Sequence, residues 1–178
     1  TLFYRPQCCG HVDRQCRQMV SARVIMAKWC DMGKKTDKLL SILQLQPVVP
    51  VLVIDNAASA VPLARALVKG GLKAIEITLR TDAALEAIRA VADEVEGAEV
   101  GAGTILNAKH YEAAVKAGSK FIVSPGTTLE ILDAARRMPV PLLPGAATPS
   151  EVMALREEGY AVMKFFPAEQ AGGAAYLK

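Results

Sequence analysis

A regular alternation of apolar runs and amphipathic segments constrains the fold of this chain more than any other feature. Short runs rich in branched aliphatic residues predict strands at 48–54, 72–79, 99–104, 120–124, 141–143 and 161–166. Segments with helical spacing lie between them, at 57–69, 82–94, 108–116, 129–137 and 149–158, and most of them end within three residues of a glycine. Strands that alternate with helices at a repeat of roughly 20 to 27 residues are typical of a parallel sheet.

The short, regular repeat favours a closed (β/α)8 TIM barrel over an open doubly wound sheet. The dinucleotide-binding fingerprint of the open fold is incomplete, because Leu106 stands where the third glycine after Gly101 and Gly103 is required. Six strands are predicted, so we expect a barrel that is truncated after the sixth strand, in a fragment of a longer protein. A complete six-stranded open sheet is the alternative.

The first 31 residues differ in composition from the rest of the chain. All four cysteines lie there, with the single Trp and several Arg, and their spacing fits no zinc site. We therefore predict two parts: residues 1–31, a disordered or non-native extension, and residues 32–178, the barrel domain. A capped amphipathic helix at 36–45 is expected to open this domain.

Charge and hydropathy exclude several classes of partner. The formal net charge of +3 is too small to indicate nucleic-acid binding. No apolar run approaches the roughly 18 residues of a membrane span, and the first residues carry no signal-peptide pattern. We expect a cytoplasmic protein that binds a small molecule, and neither nucleic acid nor a membrane.

Charged residues inside two predicted strands are the strongest pointers to chemistry. Alternation along 72–79 places Glu76 on the face opposite the apolar Ile75 and Ile77, with Arg80 continuing that polar face. In the last strand, Lys164 shares the interior face with Val162 and Phe166. Active sites of barrels lie at the carboxyl ends of the strands, so Glu76, Lys164 and Arg80 are expected to converge there.

A lysine and a carboxylate in one dry cavity have two interpretations. They form a structural ion pair, or the lysine amine attacks a ketone to give a Schiff base while the carboxylate moves the protons. The arginine adds a fork suited to a carboxylate or phosphate of the substrate, and it favours an ionised Glu76. The residue pattern leaves both interpretations open.

Two long motifs and two short ones resemble the KDPG/KHG aldolase family, in order and at its spacing. The long motifs are G-x-x-x-x-E-I-T-L-R from Gly71 to Arg80 and G-x-x-x-M-K-F-F-P-A-x-x-x-G from Gly159 to Gly172. The short ones are V-G-A-G-T at 100–104 and S-P-G at 124–126. The resemblance extends from about Gly33 to Lys178 and leaves out residues 1–31.

The resemblance implies a class I aldolase that needs no metal or other cofactor. Its expected reaction is cleavage of 2-keto-3-deoxy-6-phosphogluconate (KDPG) to pyruvate and glyceraldehyde 3-phosphate, the step specific to the Entner–Doudoroff route. Cleavage of 4-hydroxy-2-oxoglutarate (KHG) to pyruvate and glyoxylate is also implied. By position, Lys164 forms the Schiff base and Glu76 is the general acid and base. Substrate binding falls to four further residues, namely Arg80, Thr104, Pro125 and Phe166.

The resemblance further implies a homotrimer of full-length barrels, with a phosphate site in glycine-rich turns after the last two strands. These strands are not among the six predicted here. Two alternatives therefore remain: another lyase of 2-oxo acids built on the same barrel, and an inactive fragment in which Lys164 and Glu76 form a structural pair.

Overall fold

The structure is a computed structural model that describes the backbone of residues 20–177 and the side chains of residues 32–177. Its helices are α1 Val20–Leu43, α2 Ala60–Lys69, α3 Ala84–Glu94, α4 Ala108–Lys116, α5 Leu129–Arg137, α6 Pro149–Glu157 and α7 Gly173–Tyr176. Its strands are β1 Val51–Leu52, β2 Ala74–Thr78, β3 Glu99–Gly103, β4 Ile122–Val123, β5 Leu142–Leu143, β6 Gly145–Ala146 and β7 Lys164–Phe165.

All the strand pairs are parallel, and they follow chain order. Strands β1 to β5 form one sheet, and β6 pairs with β7 in a second, two-stranded sheet. The register places Glu76 of β2 beside Gly101 of β3, and Lys164 of β7 beside Gly145 of β6. Each crossover runs through a helix, as the (β/α) repeat requires.

Short polar residues cap three of the helices that follow strands, α4, α5 and α6. The Asn107 side chain accepts a hydrogen bond from the backbone N–H of His110, at 2.8 Å, at the start of α4. Thr128 does the same for α5, and Thr148 forms a reciprocal capping box with Glu151 at α6. Such caps satisfy backbone donors that have no partner inside the helix, so they fix where each helix begins.

Two apolar cores lie on opposite sides of the sheet. The outer core fills the layer between strands and helices, and Ile75, Ile77, Val100 and Ile122 supply its strand side. The inner core lies within the curve of the sheet and consists of Leu39, Ile42, Ala74, Phe121 and Val123. Leu39 and Ile42 come from α1, so this helix covers the amino-terminal end of the sheet from below and leaves the opposite end open.

The side chain of Gln46 fastens the connection after α1 to the start of β2. Its amide nitrogen donates to the carbonyl oxygens of Val48 and Ala74, and its amide oxygen accepts from the Ala74 N–H. Gln46 is buried, so these bonds replace those that water would otherwise supply.

The continuous apolar run at 48–54 predicts a strand that is buried on both faces, and this prediction is wrong. Only Val51 and Leu52 join the ladder, and Val51 and Val53 remain 53% and 51% exposed. Strand β1 has β2 on one side and no second neighbour among residues 20–177, so its side chains lack the contacts that bury a central strand.

The fifth strand ends before Pro144, as the sequence predicts, but the sequence does not predict the pairing that resumes directly after it. Pro144 lacks an N–H, but its carbonyl accepts the Lys164 N–H at 2.8 Å, and the chain continues as β6. Strand β5 therefore pairs with β4, whereas β6, which lies beyond the predicted strand, pairs with β7.

The first helix is longer than the sequence predicts, since α1 begins at Val20 rather than Thr36. The predicted extension, residues 1–31, lies outside the described residues up to position 19. Residues 20–31 are described only as helical backbone, so the boundary at residue 32 stays a prediction.

The predicted fold class is confirmed. Six β/α repeats with a parallel sheet are those of the (β/α)8 barrel type, and the described part ends after the sixth strand position with a short helix. No helix among residues 20–177 is both long and apolar enough to cross a membrane.

Candidate active site

An ion pair between Lys164 and Glu76 lies on the inner side of the sheet, above the inner core. Lys164 Nζ is 3.7 Å from Glu76 Oε1. The Glu76 side chain is 6% exposed and that of Lys164 is 28% exposed, so the carboxylate is deep and the amine faces the opening. The sequence predicts this meeting, because both residues alternate with side chains that pack in the outer core.

The alternation itself is confirmed on both strands. Ile75 and Ile77 of β2 are buried in the outer core, whereas Glu76 and Thr78 point to the opposite side. Before β7, Val162 packs on the inner core and Met163 on the outer core. Lys164 therefore lies on the inner face because the two-residue period of a strand puts it there.

Burial raises the pKa of the Glu76 carboxyl above its ordinary value. Loss of water around the charged form is the largest cause, and the positive charges of Lys164 and, more weakly, Arg80 act in the opposite direction. The expected effect of Arg80 is thus present but smaller than that of burial. A carboxyl whose pKa lies nearer to neutrality is suited both to accept and to donate a proton.

Arg80 and Thr104 form a second polar pair at the carboxyl ends of β2 and β3. Arg80 Nε donates to Thr104 Oγ1 at 3.3 Å. Thr104 has φ of 59°, a left-handed conformation that β-branched residues rarely adopt. Such strain is kept where the surrounding structure fixes it, and it occurs often at binding sites.

Phe166 lies beside the amine. Lys164 Nζ is 5.2 Å from the centroid of the Phe166 ring, within the range of a cation–π contact. The ring is 37% exposed, so it forms one wall of the open side of the site.

Pro125 reaches the same region through Gly145. An added Cβ at Gly145 would lie 2.2 Å from the Pro125 carbonyl oxygen, so the end of β4 and the start of β6 are in close contact. Gly145 is also the register partner of Lys164. Pro125 therefore lies next to the backbone that carries the lysine.

The sequence did not indicate that Gly145 belongs to this site. It follows Pro144, and Pro-Gly was interpreted as the end of a strand. Thr127 was missed as well, although its hydroxyl donates to the Gly145 carbonyl at 3.1 Å. Gly145 does not have a positive φ, so no turn requires a glycine at this position. The sequence alone does not show this, because a Pro-Gly pair is a common turn pattern.

The residues of this site suit carbonyl chemistry better than metal binding. Among residues 32–177, no three His, Cys, Asp or Glu side chains lie close enough together to hold a metal ion. A lysine amine facing an opening, with a buried carboxyl beside it, is the arrangement that Schiff-base formation needs.

The family model and the similar proteins described below indicate the same family. Residues 39–178 match the family described as KDPG and KHG aldolase. The KHG/KDPG aldolase of Escherichia coli is 49% identical over 138 residues, which are 78% of this chain and 65% of that protein. This chain therefore spans less than two thirds of the length of that curated relative.

Two solved structures share the fold at high identity. The 2-keto-3-deoxy-6-phosphogluconate aldolase of Zymomonas mobilis, solved with 3-phosphoglycerate, has a TM-score of 0.77 and 48% identity, covering 80% of this chain and 68% of its own. The KDPG aldolase of Legionella pneumophila was captured with pyruvate as a covalent carbinolamine. It has a TM-score of 0.74 and 40% identity, covering 76% of this chain and 66% of its own.

The family model matches most of the chain, and the sequence identities to the relatives from Escherichia coli and Zymomonas mobilis are near one half. Together with the shared fold, they show that this chain belongs to the KDPG and KHG aldolase family.

Proposed function

We propose that the protein is a class I aldolase that cleaves 2-keto-3-deoxy-6-phosphogluconate to pyruvate and glyceraldehyde 3-phosphate. The observation that carries the proposal is the Lys164–Glu76 pair at 3.7 Å, at the open end of the inner side of the sheet. The relative from Escherichia coli, named a KHG/KDPG aldolase, supports cleavage of 4-hydroxy-2-oxoglutarate as a second reaction.

In the proposed mechanism the unprotonated Lys164 amine attacks the C2 ketone and forms a carbinolamine. Glu76 supplies the proton with which the carbinolamine hydroxyl leaves as water, and an iminium remains. The same carboxylate then takes the proton of the C4 hydroxyl, the C3–C4 bond breaks, and its electron pair enters the iminium to give an enamine. Protonation at C3 and addition of water release pyruvate and regenerate the amine.

Carbinolamine formation on a related enzyme supports this chemistry. The aldolase of Legionella pneumophila was captured with pyruvate in that covalent state. In this chain the raised pKa of Glu76 fits a group that must donate a proton at one step and accept one at another.

Arg80 and Thr104 are proposed to bind the carboxylate of the pyruvyl group. Their side chains already lie 3.3 Å apart, and the guanidinium retains further donors that match a carboxylate in a two-point contact. Phe166 and Pro125 are proposed to line the pocket and to limit access of water to the iminium. These contacts would fix the keto acid in one orientation before the amine attacks.

The assembly and compartment of the protein are also proposals. We propose a homotrimer of full-length chains acting on a phosphorylated 2-oxo sugar acid in the cytoplasm. The family membership supports the substrate class, and the resemblance of the motifs supports the trimer.

Trapping with pyruvate and borohydride tests the proposed function. Reduction of an iminium adds the mass of one pyruvic acid less one oxygen atom to the reacting lysine, and peptide mass spectrometry locates it. We expect the adduct on Lys164 and none on the exposed Lys120, which lies two residues before β4 and serves as an internal control.

Two variants make this experiment decisive. Lys164→Met removes the amine at similar volume and should abolish the adduct, whereas Lys120→Met should leave it unchanged. Absence of an adduct on wild-type Lys164 would leave the pair as a structural ion pair and would refute the proposal. An adduct without cleavage of either hydroxy-oxo acid would favour another lyase of 2-oxo acids.

A further inference from the structure

After Glu99, the first residue of β3, the inner face of the strand carries only two glycines, Gly101 and Gly103. Val100 and Ala102, which alternate with them, are buried in the outer core. Neither glycine has a positive φ, so the backbone conformation does not require glycine at either position. The reason for two glycines in succession on one face must therefore be the space above them.

Two large side chains from the neighbouring strands occupy that space. A Cβ added at Gly101 would lie 2.4 to 2.5 Å from three carbons of the Phe121 ring. A Cβ added at Gly103 would lie 1.9 Å from Glu76 Oε1, 2.6 Å from Cδ and 2.8 Å from Cγ. Phe121 thus lies over the lower glycine, and the carboxyl group of Glu76 lies over the upper one.

This arrangement fixes the position of the Glu76 carboxylate between the inner core and the open end of the sheet. Below it, the buried ring of Phe121 fills the inner core and blocks movement downward. Above it lies the opening that Lys164 faces. The carboxylate lies within 3.7 Å of Lys164 Nζ only because nothing projects from Gly103.

We propose that Gly103 is a positioning residue for Glu76. Because Gly103 has no side chain, the Glu76 carboxylate can occupy the position from which it exchanges protons with groups on Lys164. This inference rests on the proposed function and deepens it. Gly103 touches neither the reacting amine nor the substrate in this role, and it acts only through Glu76.

The effect of a single methyl group at this position follows from the distances. Van der Waals contact begins at about 3.4 Å, so Oε1 would have to move by about 1.5 Å in Gly103→Ala. Because Phe121 blocks the way down, the carboxylate is expected to move toward the opening and into water. It then loses its place beside Lys164, and its pKa falls toward the ordinary value, since burial is what raises it.

Gly103→Ala is tested against Gly101→Ala, a matched control that adds the same methyl group one step lower on the same face. The rate of pyruvate trapping on Lys164 is measured as a function of pH for both variants and the wild type. The titration of Glu76 is followed by carbon NMR of chain labelled in its glutamate carboxyls and assigned with Glu76→Gln. Unfolding in urea reports stability.

We expect Gly103→Ala to lower the trapping rate by about 100-fold, the effect of a misplacement of about 1 Å. Its pH profile should shift to lower pH together with the Glu76 titration. Gly101→Ala should lower stability through Phe121 and leave the Glu76 titration in place. Stability alone does not separate the two variants, whereas the pH profile does.

A second background keeps the inference testable if Gly103→Ala folds poorly. In Glu76→Ala the carboxyl group is absent, so adding Gly103→Ala should cost little further stability, measured as a double-mutant cycle. An equal cost of Gly103→Ala in both backgrounds would show that Glu76 does not occupy this space and would overturn the inference.

The remaining outcomes distinguish this inference from the proposed function. If wild-type chain forms the adduct and Gly103→Ala forms it at the same rate with the same pH profile, only the role of Gly103 is refuted. If wild-type chain forms no adduct, the proposed function fails and the catalytic role of Gly103 fails with it.

Discussion

The Glu76 carboxyl is subject to two influences that change its pKa in opposite directions. Burial favours the protonated form, and the amine of Lys164 at 3.7 Å favours the ionised form. Burial is the larger influence, so the pair is not simply a stabilising salt bridge. Removing two charges from water costs free energy that their attraction repays only in part.

The pH dependence of stability should reveal which influence is larger. Below about pH 4.5 the Glu76 carboxyl is protonated in both the folded and the unfolded chain. As the pH rises, the unfolded chain releases this proton first, so the free energy of unfolding of the wild type falls relative to that of Glu76→Gln until the folded pKa is passed. Each unit by which the folded pKa is raised corresponds to about 1.4 kcal/mol.

Urea unfolding of the wild type and of Glu76→Gln over a series of pH values measures this difference. Glutamine keeps the volume of the side chain and cannot ionise, so other carboxyl groups cancel in the comparison. If the wild type instead gains stability relative to the variant as the pH rises toward about 4.5 and keeps that gain at higher pH, the pKa is lowered and Lys164 has the larger influence.

At the scale of single residues, the sequence predicts on which face of a strand a side chain lies better than it predicts which distant side chain fills the space beside it. Alternation correctly puts Glu76 and Lys164 on the inner face, because the period of a strand is a local property. The function of Gly103 was not predicted, since the group that fills the space above it comes from Glu76, 27 positions earlier in the chain. The left-handed conformation of Thr104 was likewise not predicted, as a β-branched residue gives no signal for it.

At the scale of elements, the sequence predicts the bounds of helices more precisely than the bounds of strands. Helices α4 and α5 have the bounds that the sequence predicts, because Asn107 and Thr128 mark their first residues. Strand bounds depend on the partner strands, so the predicted strand at 161–166 is reduced to Lys164–Phe165. Continuation through Pro144 was missed because it depends on a carbonyl, which proline retains.

Gly145 should be essential for the stability of this junction. In Gly145→Ala the new Cβ would lie 2.2 Å from the Pro125 carbonyl oxygen and 2.6 Å from that of Ser124, and these backbone atoms cannot turn aside as a side chain would. We expect a loss of about 1–3 kcal/mol in the free energy of unfolding, the usual effect of overpacking.

Gly126→Ala provides the control for this prediction. Gly126 lies one residue after Pro125, does not have a positive φ, and has no atom within 4 Å of an added Cβ. Its substitution should change stability by less than about 0.5 kcal/mol. Equal stability of both variants in urea would contradict the close contact between the ends of β4 and β6.

For the whole molecule, the repeat of strands and helices was enough to predict the barrel type. The sequence did not predict that the sheet is divided into β1–β5 and β6–β7, since the pairing of β6 with β7 begins beyond the predicted end of the fifth strand. It also did not predict that one α1 helix contributes Leu39 and Ile42 to the inner core.

Two exposed valines at the edge of the sheet, one in β1 and one directly after it, should make the chain associate with itself. Val51 and Val53 are about half exposed, and β1 has a single neighbour among the described residues, so this edge readily pairs with another chain. Val53→Lys should reduce association, because a charge at an edge opposes pairing. Sedimentation velocity over a range of concentrations measures the effect.

Leu63→Lys is the control, because Leu63 is an exposed apolar residue of α2, outside the sheet. If Leu63→Lys reduces association as much as Val53→Lys does, general hydrophobicity and not the edge of the sheet is responsible.

Because the paired strands form two separate sheets, we expect the two sheets to differ in local stability. The amide of Glu76 bonds to Pro50 within the larger sheet, and the amide of Lys164 bonds to Pro144 within the smaller one. Segments with few neighbours open at a lower free energy than the sheet they adjoin, and they do so as cooperative units. The proposed nucleophile thus belongs to the more easily opened unit and its proton donor to the more rigid one. In the proposed mechanism Lys164 carries a covalent adduct that grows and then shrinks, so we expect the lysine to shift with β7 while the β1–β5 sheet keeps the carboxylate in place.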